Sequence, residues 1–110
     1  MKQSATPTEG GASPWGEIQV IEKLSGLGAG AVFVSTAGHG GYWLPPELRE
    51  LVPLRWQRFA GKWALGFGPG WYEEDCAAIA VGAFVLKHPR AIEDLPHMEA
   101  ALFGAKEAQA

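Results

Sequence analysis

The stretch WYEEDCAAIAVGAFVLKHP, residues 71–89, decides the predicted fold because it is the longest segment with the marks of one regular element. Acidic residues stand at its start, Lys87 and His88 stand near its end and Pro89 follows, in agreement with the dipole of an α-helix. No charged residue occurs between Cys76 and Leu86. A helix that is apolar all round packs against other elements on both sides, so the sequence predicts a long buried helix over 72–87.

A β-hairpin is predicted before this segment, over residues 15–37. In WGEIQVIEKL apolar and polar residues alternate, which is typical of a strand with one wet face, and the more apolar AVFVSTA follows the glycine-rich turn SGLGAG. A hairpin alone is marginally stable, so its apolar face needs a cover. The charge-free helix is the element that can supply it, and the fold class is therefore α+β.

Shorter elements complete the predicted architecture. Pro46 and Glu47 begin a short helix over 46–52 that Pro53 ends, and IEDLPHMEAALFG gives a helix over 95–103 with a buried apolar stripe. A third short strand is expected over 62–67. Residues 1–14 are rich in Ser, Thr, Gly and Pro and are expected to be a disordered arm, residues 15–104 one globular domain, and 105–110 a frayed tail.

Composition excludes several classes of protein. The 12 acidic against 9 basic residues give a net charge of −3, which disfavours a general attraction to nucleic acid or to an anionic membrane. No apolar run is long enough to span a bilayer, so no membrane partner is expected. The single cysteine, Cys76, rules out an internal disulfide and favours a reducing compartment, which is the cytoplasm.

The first candidate site joins His39, in the turn STAGHGG, to the carboxylates of Glu73, Glu74 and Asp75. Glycines around His39 leave its imidazole uncrowded, and a histidine with one or two carboxylates can bind zinc, manganese or iron or act as an acid–base pair. The alternatives are structural: a tight turn whose histidine bonds to the backbone, and acids that favour the positive end of a helix. Both alternatives stay open, and we expect His39 to lie within reach of Tyr72, Glu73 or Asp75.

Cys76 follows these acids and is a weak candidate nucleophile. Reactive thiols are activated by positive surroundings, whereas the neighbouring carboxylates suppress the thiolate. A small buried side chain is also suited to this position at the start of an apolar run. The sequence therefore favours a packing role for Cys76.

The second candidate site is the stretch LRWQRFAGKW, residues 54–63, in which basic and aromatic residues alternate. Such a surface suits a protein interface, and it also suits single-stranded nucleic acid, which we do not favour. The structural alternative is that the rings close the core while the basic side chains extend past them to water. The candidate binding residues are Arg55, Trp56, Arg58, Phe59, Lys62 and Trp63.

The turn STAGHGG and the later GWYEEDC together resemble an uncharacterised domain family from proteins of phages, plasmids and other mobile elements. Trp15 to about Phe84 is the part of the chain that the resemblance covers. Its motif residues fall here on His39, Gly40, Gly41, Trp71, Tyr72, Glu73, Glu74, Asp75 and Cys76. The family pattern often has Ser where this chain has Gly38, which argues against a role for a hydroxyl group there.

The resemblance implies a small accessory protein that acts in the host-cell cytoplasm. We expect it to bind and inhibit a host defence component, as anti-CRISPR and antirestriction proteins do, because such an inhibitor needs a stable scaffold and an exposed aromatic face but no cofactor. The alternative is a small hydrolytic enzyme, metal-dependent with zinc or manganese or working by acid–base catalysis, that uses His39 with Glu73, Glu74 or Asp75. A cleft that joins His39 to the carboxylates favours the enzyme, and a solitary histidine favours the inhibitor.

Overall fold

A four-stranded antiparallel sheet organises the chain in a computed structural model that describes residues 6–24, 30–64 and 66–108. Its strands are β3 (Val20–Lys23), β4 (Val32–Ser35), β5 (Gly40–Trp43) and β6 (Trp71–Glu73), and they lie side by side in that order. A separate two-stranded ladder pairs β1 (Ala12–Ser13) with β2 (Gly16–Glu17). The predicted α+β class is confirmed.

The predicted hairpin is confirmed in β3 and β4, where Val20 lies opposite Ser35 and Lys23 lies opposite Val32. Residues 25–29 of the glycine-rich turn lie outside the described residues. The hairpin is shorter than the predicted range of 15–37, because Gly16 and Glu17 pair with β1 and not with β4.

The predicted disordered arm over 1–14 is wrong for the residues that form β1 and its surroundings. Ser13 is buried, and its hydroxyl donates to the carbonyl oxygen of Gly16 over 2.7 Å. The amide of Gly10 donates to the carbonyl of Ile18 over 2.8 Å, and the amide of Ile18 donates to Gly11 over the same distance. Backbone hydrogen bonds therefore order a segment that has few apolar side chains, while residues 1–5 lie outside the described part.

The predicted helix over 72–87 is corrected at its start. Trp71–Glu73 is strand β6, residues 74–77 form a turn, and α3 begins only at Ala78. Helix α3 (Ala78–Ala80) continues directly as a π-helical segment, Val81–Val85. The strand forms because the backbone of Trp71–Glu73 pairs with β5, with Tyr72 opposite Tyr42. The predicted burial of the later segment is confirmed, since Ala77, Ala80 and Val81 are fully buried.

The remaining elements differ from the predictions in their limits. Helix α1 spans Pro46–Arg49 and so ends before residue 52. Helix α2 spans Leu54–Lys62, and the described residues of 62–67 form the end of α2 and turns, so the predicted third strand there is wrong; Leu65 lies outside the described residues. Helix α4 spans Pro89–Ala108 and contains the predicted helix 95–103.

Residues 105–108 of the predicted frayed tail over 105–110 belong to α4. Gly104 interrupts α4 with a φ of +79°, and the backbone is helical again up to Ala108. Residues 109–110 lie outside the described part of the chain.

The sheet carries an apolar cluster on each face, which places it in the middle of the molecule. On one face Val34 and Trp43 pack with Ile18 of the N-terminal segment and with Ala64. On the other face Tyr72 packs with Trp56 of α2, with Val81 of the π-helical segment and with side chains of α4. No helix in the described ranges is both long enough and apolar enough to cross a membrane.

Candidate functional site

The turn that presents His39 joins β4 to β5 and is closed by Thr36. The Thr36 hydroxyl donates to the carbonyl oxygen of His39 over 2.7 Å and accepts from the His39 amide over 3.1 Å. The Thr36 amide also donates to the same carbonyl over 2.8 Å. Because the backbone of His39 closes the turn, the imidazole is left at the surface, where 60% of the side chain is exposed.

The two glycines after His39 are part of β5 and are buried. A Cβ atom on Gly41 would lie 2.5 Å from the Trp15 ring and 2.6 Å from the carbonyl oxygen of Tyr72. A Cβ atom on Gly40 would lie 2.8 Å from the carbonyl oxygen of Val34. Close packing of the strand therefore explains both glycines without a ligand.

The three acidic residues lie at the end of β6 and in the turn that follows it. The Glu73 carboxylate accepts hydrogen bonds from the amides of Asp75 (2.9 Å), Cys76 (2.6 Å) and Ala77 (2.9 Å). It thereby satisfies amides that precede α3, as a capping side chain does at the start of a helix. The role expected from the helix dipole is thus carried out by Glu73 from the preceding strand.

His39 lies beside these acids. The amide of Glu74 donates to the carbonyl of Gly40 over 2.9 Å, and the Glu74 carboxylate lies 4.0 Å from Nδ1 of His39. The predicted neighbours of His39 are Tyr72, Glu73 or Asp75, whereas the side-chain contact in the structure is made by Glu74. Glu73 and Asp75 line the same groove as His39.

That groove, which we call the aromatic groove, has a volume of about 600 Å³. It lies where five parts of the chain meet: the N-terminal segment (residues 6–18), the turn that presents His39, α2, the acidic turn (residues 73–77) and α4. Its lining residues are Pro14, Trp15, His39, Phe59, Trp63, Glu73, Asp75, Cys76 and Leu102. The two candidate sites predicted from the sequence therefore contribute to a single groove.

The candidate binding residues of the stretch 54–63 divide into three groups. Phe59 and Trp63 line the aromatic groove, with their ring centroids 6.5 Å apart, and Trp63 is 53% exposed. Arg58 and Lys62 are exposed on the helix surface, and Arg58 lines a second cavity of about 460 Å³.

Trp56 and Arg55 belong instead to the packing between α2 and α4. Trp56 is fully buried, and its indole N–H donates to Oε2 of Glu99 over 2.8 Å. Arg55 lies 3.1 Å from the other oxygen of Glu99 and stacks over the ring of Phe103. The prediction that Trp56 is a binding residue at the surface is wrong, because helix α4, which is distant in the sequence, covers its side chain.

Sequence reasoning missed Pro14, Trp15 and Leu102 as groove residues. Trp15 was assigned to a strand, and Leu102 to the buried stripe of a helix. Trp15 directly follows the predicted arm over 1–14 and begins the predicted hairpin, so no sequence pattern marks it as a groove residue. Leu102 carried no local signal, since its contact with the groove depends on how α4 packs.

The environment of Cys76 disfavours a nucleophilic thiolate. Burial raises the pKa of the Cys76 thiol, and the negative charges of Glu73 and Asp75 raise it further. This direction agrees with the packing role favoured by the sequence. Within the described ranges, no group of three or more His, Cys, Asp or Glu side chains is placed to hold a metal ion.

These features define a small α+β domain with an aromatic groove whose rim carries a glycine-flanked histidine and acidic residues. The family model described as "Domain of unknown function (DUF7007)" matches residues 8–105, and the chain belongs to that family. No curated protein and no solved structure showed significant similarity to the chain. The predicted membership of an uncharacterised domain family is confirmed.

Proposed function

We propose that this protein acts by binding another protein in the aromatic groove. The observation that carries the proposal is that Phe59 of α2 and Trp63, the residue after α2, line one groove together with His39 and the acidic turn. A groove of about 600 Å³ has the size of ordinary ligand sites and accommodates one or two side chains of a partner.

The chemistry of the groove is that of a protein interface. Tryptophan is enriched among the residues that contribute most to binding energy, and such residues are surrounded by polar groups at the rim. Trp63 exposes half of its surface, while its edge-to-face contact with Phe59 restricts its orientation. A partner that covers Trp63 removes apolar surface from water at little entropic cost.

The partner that we propose is a host defence protein, so that the chain is an accessory protein of a phage or plasmid of the anti-CRISPR or antirestriction type. The resemblance of its two motifs to mobile-element proteins supports this proposal. An inhibitor of this type acts by covering a surface of its partner. The exposed groove and the net charge of −3 suit that mode of action.

The test is a plasmid transformation assay in bacterial strains that each carry one defined restriction or CRISPR system. We expect the chain to raise transformation at least tenfold in one strain and Trp63→Ser to abolish this gain. Ile92→Ser is the matched control, because Ile92 is 48% exposed and does not line the groove. Full activity of Trp63→Ser, or no gain in strains that cover the known classes of both systems, would contradict the proposal.

The second candidate is a small hydrolytic enzyme, with or without zinc or manganese, in which His39 and Glu74 act as an acid–base pair. The separation of 4.0 Å between their side chains, with His39 lining the groove, favours it. His39→Ala separates the two candidates, because the enzyme loses its activity whereas an inhibitor anchored by Trp63 keeps most of its effect on transformation.

A further inference from the structure

We infer that the aromatic groove binds a protein segment in which a lysine or arginine stands close to a large apolar side chain. This inference rests on the proposed function and specifies the chemistry of the partner. Its basis is the uneven distribution of charge around the groove.

The apolar part of the groove is formed by Trp15, Phe59, Trp63 and Leu102. These side chains come from four parts of the fold: the N-terminal segment, α2, the residue that follows α2, and α4. An aliphatic or aromatic side chain of the partner is the complement of such a lining.

The charged part of the groove is acidic. Glu73 and Asp75 line it, and no lysine or arginine is among the described residues that do so. The three amides that bind Glu73 fix its carboxylate in place, while the Asp75 side chain is exposed. Glu74 lies next to them in the sequence and adds a further negative charge.

The basic residues of α2 are not among the described residues that line the groove. Arg55 is paired with Glu99, Arg58 lines the second cavity, and Lys62 is exposed but does not line the groove. A cationic group beside the acidic turn is therefore attracted by carboxylates, whereas a phosphate group there is repelled. Charge complementarity thus favours a basic and apolar peptide over nucleic acid.

A random peptide library displayed on phage and selected against the whole protein tests the inference. We expect the enriched peptides to place Lys or Arg within three positions of an aromatic or large aliphatic residue. Binding of one labelled peptide is then measured by fluorescence anisotropy. Asp75→Asn is expected to weaken it about fivefold and Asp75→Lys about thirtyfold or more, because the charge is removed and then reversed.

Two controls make the result specific. Glu93→Lys changes the net charge as Asp75→Lys does, but Glu93 is an exposed residue of α4 outside the groove, so binding should change less than about twofold. A peptide whose basic residue is replaced by Glu should bind Asp75→Lys at least about tenfold better than it binds the unmodified protein.

The outcomes distinguish the two levels of the proposal. Enriched peptides that lose binding in Trp63→Ser but carry no basic residue, or that bind equally to Asp75→Lys, overturn the inference and leave protein binding in place. Peptides that bind equally to Trp63→Ser overturn the proposed groove itself. Preferential binding of a single-stranded oligonucleotide at the groove also overturns the inference.

Discussion

Gly41 shows how one residue without a side chain allows two elements to pack. The Trp15 ring and the Tyr72 carbonyl occupy the space in which a Cβ atom would lie. We expect Gly41→Ala to lower the free energy of unfolding by about 1–3 kcal/mol or more, the usual cost of overpacking. Gly38→Ala is the matched control, since its Cβ atom would have nothing within 4 Å. Urea unfolding compares the two, and equal losses would show that β5 and Trp15 move apart easily.

Glu73 contributes to stability through three hydrogen bonds that its carboxylate accepts from backbone amides. Glu73→Ala leaves these amides without that acceptor, and we expect a loss of about 1–3 kcal/mol. Glu74→Ala, in which an exposed neighbour is truncated, should change stability by less than about 0.5 kcal/mol. Thermal melts of both variants provide the measurement. A larger loss in Glu74→Ala would mean that its contact with His39 dominates the turn.

At the scale of elements, Glu99 joins α4 to α2. It is 9% exposed, accepts from the indole of Trp56 and lies 3.1 Å from Arg55. Glu99→Leu removes the acceptor of a buried N–H group and the partner of Arg55, so we expect a loss of about 2–4 kcal/mol. Glu99→Gln keeps an acceptor for the indole and should cost about half as much. Chemical unfolding followed by tryptophan fluorescence measures both, and an equal cost would assign the whole effect to the charge.

The elements also show which parts of the fold could be predicted from the sequence. Alternation in residues 15–24 and an apolar run after a glycine-rich turn predict the β3–β4 hairpin from neighbouring residues alone. Strand β6 has three residues, which is too short for a period to be visible, and its partner β5 is about thirty residues earlier. The acids after it were therefore assigned to a helix. The predicted interaction of acidic residues with the start of a helix holds for Glu73, but Glu73 lies in strand β6 and not in the helix itself.

The candidate site was predicted in parts and assembled only by the structure. His39, Glu73 and Asp75 were identified as one surface, and Phe59 and Trp63 as another. Their meeting depends on the packing of α2 against β6 and of α4 against α2, and the Trp56–Glu99 hydrogen bond of the second contact joins residues 43 positions apart. No local pattern encodes that geometry, and the same is true of the burial of Trp56.

At the scale of the whole molecule, the central sheet has to be covered on both faces. The N-terminal segment covers one face with Trp15 and Ile18, and the helices cover the other. The aromatic groove lies where these two covers meet, because its lining comes from both Trp15 and α2. The position of the groove is thus a consequence of a sheet that is buried on both sides.

Burial of Tyr72 in the edge strand β6 also makes the stability of the molecule fall at alkaline pH. Tyr72 is 1% exposed, and this desolvation raises the pKa of its phenol to about 12, against an opposing effect of the Arg49 charge. Because the folded pKa lies above the ordinary value of 10, the neutral phenol stabilises the fold fully below pH 10, and this contribution is lost as the pH rises toward 12.

We therefore expect the free energy of unfolding to fall by about 2 kcal/mol between pH 9 and pH 11.5 because of this one residue. Tyr72→Phe cannot ionise, so the variant should lack that part of the decline while it keeps the part due to Tyr42, whose phenol pKa is also raised by burial and by Glu22. Urea unfolding of both proteins at the two pH values measures the difference, in which the titration of the other groups cancels. Identical declines would mean that the Tyr72 phenol ionises in the folded protein as readily as in the unfolded chain, and that β6 is not buried between α2 and β5.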